Sequence, residues 1–256
     1  YMFAKSSQNV INIINRVTAF VVVLGTAALF IVLAGFAGLK SFTVSFSTTF
    51  DPDLKIFPKT GKYLNFSEAD SIALRQVVSI AHYSKVIEEQ VFLTHNQKNH
   101  IAYIKGVDEE YPLVNEVDSL LVLGGWELSP PNVVVGATIF NNLGLNFADP
   151  SSPLQIVVPK SGKGSILNEK MPYREALSVV QGVYQLTEEL DKKYVFSSLD
   201  EARFVLGLSP RQVSAIEVKL EPNATEAQAV SEIESIFNHQ VVVKNRVQLN
   251  DALYRM

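Results

Sequence analysis

Four histidines, a glycine-lysine loop and several runs of acids are the residues that invite a chemical reading. His82, His95, His100 and His239 are metal ligands by type, but none has a second imidazole or a cysteine at ligand spacing. His95 and His100 bracket a polar turn, His95 to Lys98, where such residues are expected anyway. Ser161-Gly162-Lys163-Gly164-Ser165 has the composition of a phosphate loop, yet such a loop needs a glycine where Val157 stands and a hydroxyl where Gly164 stands. Asp108-Glu109-Glu110, Glu188-Glu189 and Asp191 read as solvated turns or helix starts, because a catalytic pair needs two acids in one cleft with their pKa values driven apart. The chain has no cysteine, which excludes a disulfide framework, a thiolate metal site, a cysteine nucleophile and a lipidated cysteine. Its net charge of −4 leaves no basic surplus for nucleic acid. The expectation is a protein that is not an enzyme, with no catalytic residue, no metal site and no cofactor held by the chain itself.

The elements around these residues are more telling. Val17 to Leu39 carries no charge, and Ala19 to Leu39 has a single hydroxyl, Thr26. About 20 such residues at roughly 1.5 Å per residue cross the ~30 Å hydrocarbon core, so 17–39 is expected to be a transmembrane helix. A cleaved signal would have a shorter apolar region, and a buried soluble helix would keep a polar face. Lys5 and Arg16 before the run, against Lys40, Asp51 and Asp53 after it, favour a cytoplasmic N-terminus with the rest outside. Residues 1–16, with Val10, Ile11, Ile13 and Ile14 among polar residues, suit an interfacial elbow.

Beyond the span the pattern is strand, helix, strand: 53–58 alternates, 67–80 is helical from Ser67-Glu68, and 84–94 and 99–106 are strands about the His95 to Lys98 turn. The order returns at 215–220, at a helix after Thr225 with Gln228 at capping-box spacing, and at 240–244. Between these units lie a strand at 132–135, a helix at 137–143 ended by Gly144, and strands at 154–158, 176–185 and 193–196. A helix at 198–206 follows, with Ser198 and Glu201 as a capping box and Gly207 as terminator. The expected fold class is α+β, with residues 40–131 and 212–256 as one subdomain of paired βαβ units and 132–211 as an inserted, strand-rich second.

Several segments, in order, resemble the permease subunits of FtsX/MacB-superfamily ABC transporters, and among them the lipoprotein-releasing (LolC/LolE) type. They are Phe3-Ala4-Lys5-Ser6-Ser7-Gln8-Asn9-Val10-Ile11-Asn12-Ile13-Ile14, Leu24-Gly25-Thr26-Ala27-Ala28-Leu29, Gly35-Phe36-Ala37-Gly38-Leu39, Val133-Val134-Val135-Gly136 with Leu143-Gly144-Leu145, and Asn250-Asp251-Ala252-Leu253-Tyr254. The resemblance implies a periplasmic domain made of a Porter subdomain and an inserted Sabre, anchored in a bacterial inner membrane. It also implies that the chain is part of a four-span subunit, Met256 falling where a second span begins. The implied partners are a cytoplasmic ABC ATPase that binds the ATP, a second permease subunit, a periplasmic lipoprotein chaperone, the lipoprotein substrate and membrane lipid.

In that branch a hairpin, the Hook, holds the chaperone. The resemblance implies that its counterpart here is 159–174, with Pro159, Lys160, Lys163, Ile166, Leu167, Lys170, Met171, Pro172, Tyr173 and Arg174 as the candidate contacts. A plain hairpin loop is the alternative. The resemblance also places Phe20, Val23, Leu24, Ala27, Phe30 and Ile31 of the span toward lipid chains of the cargo. Two rival readings share the anchor: a MacB-like exporter of peptides or small molecules, and a single-pass receptor.

Overall fold

The computed structural model describes residues 9–159 and 173–249, and the chain divides into two compact units, Tyr1–Ser47 and Thr48–Met256. The first is carried by one helix, α1 (Asn9–Phe50). No proline interrupts it, so residues 9–16 share an unbroken helix with the apolar run instead of forming a separate elbow. None of the 26 residues of its segment Ile11–Phe36 is buried, and the segment is long and apolar enough to cross a membrane.

The second unit contains β1 (Leu54–Pro58), β2 (Leu64–Asn65), α2 (Glu68–Arg75), β3 (Ile80–His95), β4 (Lys98–Val107), α3 (Tyr111–Val114), a 3-10 turn (Val117–Leu120) and β5 (Leu121–Gly124). It continues with β6 (Asn132–Gly136), α4 (Ala137–Leu143), β7 (Leu154–Pro159), β8 (Tyr173–Tyr184), α5 (Glu188–Asp191) and β9 (Tyr194–Ser198). It closes with α6 (Leu199–Leu206), β10 (Gln212–Val213), β11 (Ala215–Leu220), α7 (Glu226–Ile236), β12 (Val241–Asn245) and α8 (Arg246–Leu249). The fold is α+β.

Four strands lie in the order β12-β1-β11-β3, each antiparallel to its neighbour. The units β1-α2-β3 and β11-α7-β12 are therefore split βαβ motifs that interlock, each enclosing a strand of the other, the ferredoxin-like arrangement. Alternate residues Leu54, Ile56, Ile216 and Val218 meet Leu74 of α2 and Ala229 and Ile233 of α7 in one apolar cluster. The helix expected over 67–80 ends at Arg75: Ser67 and Asp70 form the full capping box, and the chain turns at Val77 so that Ile80 can pair with Leu220. Thr225 makes no side-chain cap, and the Gln228 side chain bonds Glu232.

β3 continues beyond this four-stranded layer. It pairs with β4 across the Asn96-Gln97 turn, whose residues have φ of 46° and 65°, the left-handed pair that a two-residue hairpin requires. Pairing then passes from β4 to β9, β6 and β8, and β7 joins β8 back to β3. The six strands form a closed ring. Its core draws on all of them, through Leu93, Ala102, Val195, Val133, Val180 and Ile156, and on Ile139 of α4 and Val205 of α6. This core thus takes in β4 and the far half of β3 as well as residues from 132–211.

Gly144 closes α4 at φ 63°, as its position in the sequence predicts. Ser198 caps α6 through the Glu201 amide, but the Glu201 carboxylate bonds Ser178 on β8, so only half of the expected box forms.

Candidate functional site

Three features of the second unit, and one of the first, bear on function. The first is the β7–β8 hairpin. Its ladder runs from Leu154↔Ser178 to Pro159↔Tyr173. β8 begins at Tyr173, three residues before the expected Ala176, so Pro159, Tyr173 and Arg174 are strand residues. Tyr173 is exposed, and Arg174 donates to the Leu206 carbonyl at 3.3 Å, tying the hairpin base to the end of α6. Lys160, Lys163, Ile166, Leu167, Lys170, Met171 and Pro172 lie outside the described residues, as does the glycine-lysine loop.

The second feature is an open groove of about 1140 Å³ lined by His82, Asp108, Glu110, Trp126, Pro130 and Arg203. His82 lies 3.8 Å from Glu110 there. Asp108, read from sequence as solvated, accepts from the Ser84 hydroxyl at 2.6 Å and the Lys85 amide at 3.0 Å, which pins the start of the 108–128 segment to β3. The other histidines lie apart: His95 is buried between the Leu143 carbonyl and the Ser152 hydroxyl, His100 bonds the Lys192 carbonyl, and the exposed His239 sits 3.9 Å from Glu234. Asp191, also expected to be solvated, is buried at the end of α5, where its carboxylate accepts from the Leu186 amide. Burial pushes its pKa up against that bond. Among the described residues no three His, Asp or Glu side chains converge as metal ligands.

The third feature is a buried charge network, which reading the sequence did not find. Glu217 of β11 is fully buried, and one of its oxygens lies 2.9 Å from the ammonium of both Lys55 (β1) and Lys105 (β4). Its other oxygen accepts from Asn115 at 2.7 Å. Lys55 also reaches Glu88 of β3 at 3.2 Å, and Glu88 accepts from the Tyr194 hydroxyl of β9 at 2.8 Å. Lys105 lies 5.0 Å from the ring centre of Tyr111.

The register brings these charges together, since Lys55 pairs with Glu217 and Glu88 with Lys105 on neighbouring strands. They occupy the faces turned away from both helical cores, and the segment from Tyr111 to Leu128 covers them. Tyr111, Trp126 and Phe196 pack ring against ring there, with Trp126 and Phe196 centred 5.0 Å apart. Burial alone would raise the Glu88 pKa, but Lys55, then Lys105 and the Tyr194 hydroxyl, hold it at about 2. Burial is likewise outweighed at Glu217, held low by Lys105 and Lys55, and at Lys55, held high by Glu217 and Glu88. All three stay charged at neutral pH. Charges held this way position the strands that carry them.

In the first unit, Phe20, Val23, Leu24, Ala27, Phe30 and Ile31 recur at helical spacing along one side of α1, and all are exposed.

The architecture defines a class: an α+β domain with a ferredoxin-like layer and an inserted strand ring, joined in sequence to an apolar helix suited to anchor it in a membrane. The crystal structure of the periplasmic region of MacB from Actinobacillus actinomycetemcomitans shares this fold, with a TM-score of 0.53 at 13% identity over 79% of this chain and 92% of that one. The extracellular domain of YknZ, a noncanonic ABC-type transporter from Gram-positive bacteria, aligns over 75% of this chain and 99% of that one, at 15% identity and a TM-score of 0.49. No curated protein sequence matched. The chain belongs to the family of the MacB-like periplasmic core domain, whose family model matches residues 17–236.

Proposed function

We propose that this chain is the anchor and periplasmic domain of an ABC-transporter permease subunit that draws lipoproteins out of a bacterial inner membrane. A cytoplasmic ATPase partner would bind and hydrolyse the ATP, and this domain, paired with a second permease subunit, would convert the resulting motion into cargo release. Residues 40–131 with 212–256 are read as Porter-like and 132–211 as Sabre-like, the ring core being shared between them. The stripe Phe20, Val23, Leu24, Ala27, Phe30 and Ile31 is the surface offered to lipid chains of the cargo.

The observation that carries the lipoprotein reading is the β7–β8 hairpin. Its braced ladder delivers 160–172, a segment with three lysines and the apolar residues Ile166, Leu167 and Met171, between paired Pro159 and Tyr173. Mixed basic and apolar contacts of that kind suit the rim and centre of a protein interface. The likeness in fold to the MacB region supports a second reading equally, export of peptides or small molecules.

A pull-down of a periplasmic lipoprotein chaperone by the full chain, with and without residues 160–172, separates the two. Capture that is lost on deletion supports lipoprotein release. Capture that survives deletion overturns the hook assignment, and no capture by either form favours export.

A further inference from the structure

The ferredoxin-like layer and the strand ring have separate apolar cores with no residue in common. The strand that runs through both is β3, and its edge partner changes midway. β11 pairs with it as far as Val86, and β7 takes over from Phe92. At residues 87–91 neither strand pairs with that edge, and the Ser214 hydroxyl receives the Glu88 amide there at 2.7 Å. A change of partner within one strand is a natural place for two bodies to flex against each other.

The buried charges sit at this change. Lys55 and Glu217 belong to the layer, Lys105 and Tyr194 to the ring, and Glu88 lies in the stretch of β3 that pairs with β4 but with neither β11 nor β7. Buried ion pairs generally contribute no more to stability than apolar residues of the same volume. They differ from apolar contacts in what displacement costs, since pulling either ammonium away from the Glu217 oxygen that lies 2.9 Å from both leaves a buried charge uncompensated.

We infer that the Lys55–Glu217–Lys105–Glu88 network is a mechanical coupling that makes the layer and the ring open as one body, so that a displacement of β1, the first strand after α1, passes into the ring. Apolar replacement of the network would then leave the protein folded but uncoupled.

The test is hydrogen exchange under mild denaturant on the full chain in lipid nanodiscs, comparing wild type with Lys55→Met/Glu88→Gln/Lys105→Met/Glu217→Leu. In the wild type, amides of β1 and β11 and amides of β6 and β8 are expected to lose protection together. In the variant, the layer amides and the ring amides are expected to lose protection at different denaturant concentrations, as separate cooperative units do. If the fourfold variant does not fold, Glu217→Gln alone gives the same reading. A folded variant whose layer and ring still open together, or a wild type that already opens in two steps, overturns the coupling.

Discussion

Glu217→Gln tests the energetics of the network with almost no change of shape. All three partners of the carboxylate are donors: Lys55 and Lys105 at one oxygen, both at 2.9 Å, and Asn115 at the other at 2.7 Å. An amide keeps one acceptor and turns an NH2 group toward a donor whichever way it is flipped. Lys55 retains Glu88, but Lys105, with 3% of its side chain exposed, loses its nearest carboxylate in a place water does not reach. Removing one member of such a buried pair costs about 3–5 kcal/mol. At roughly 2–4 °C per kcal/mol for a domain of this size, the melting temperature is expected to fall by about 6–20 °C, read by near-ultraviolet circular dichroism on the full chain. Adding Lys105→Met to the variant should return at least ~1 kcal/mol, because a buried ammonium that has lost its nearest carboxylate is gone. A fall below about 2 °C, or no recovery in the double variant, would refute the claim that the ion pairs are closed to solvent.

Acid should act on the same network through Glu88. Its folded pKa of about 2 lies below the ordinary 4.5, so its contribution is full above pH 4.5 and is lost as pH falls toward 2. Urea melts of Glu88→Gln should therefore show a shallower loss of stability than wild type across that window. Glu201 has the opposite sign. Burial raises its pKa, its free oxygen has no partner among the described residues, and its stabilising protonated form is lost as pH rises through and above the ordinary carboxylate range. Glu201→Gln keeps the Ser178 bond without the charge and should gain about 1 kcal/mol at pH 7, a gain that disappears at pH 4 in thermal melts. Gly144→Ala puts a Cβ on a residue at φ 63° and should cost about 1–2 kcal/mol in chemical denaturation.

What the sequence disclosed, and what it hid, divides along the range of the interactions. The hairpin turn at Asn96-Gln97, the Ser67 and Ser198 caps, Gly144 and Gly207, and the uncharged span are all specified by residues within a turn or two of one another, and the structure carries each of them. The hairpin that bears the candidate hook belongs to this group, although the start of β8 at Tyr173 needed its partner Pro159 to be visible. Pairings across the chain left no such mark. Nothing near Leu154 announces that β7 will lie between β8 and a strand some sixty residues earlier and so close the ring.

The alternation in Ala215–Leu220 correctly assigns Ile216 and Val218 to a core, and by the same rule sends Glu217 to solvent. It is fully buried because residues 111–128 come back over that face, and a period of two reports which residues share a face, never what lies above it. Val133, Val134 and Val135 gave the usable clue in advance: three consecutive apolar residues in a short strand signal burial on both sides. In the structure they face the ring core and the aromatic layer in turn. Carried across the sheet, that clue predicts that charges on strands sharing the same covered face must find partners, and Lys105 of β4 and Glu217 of β11 find each other across β3.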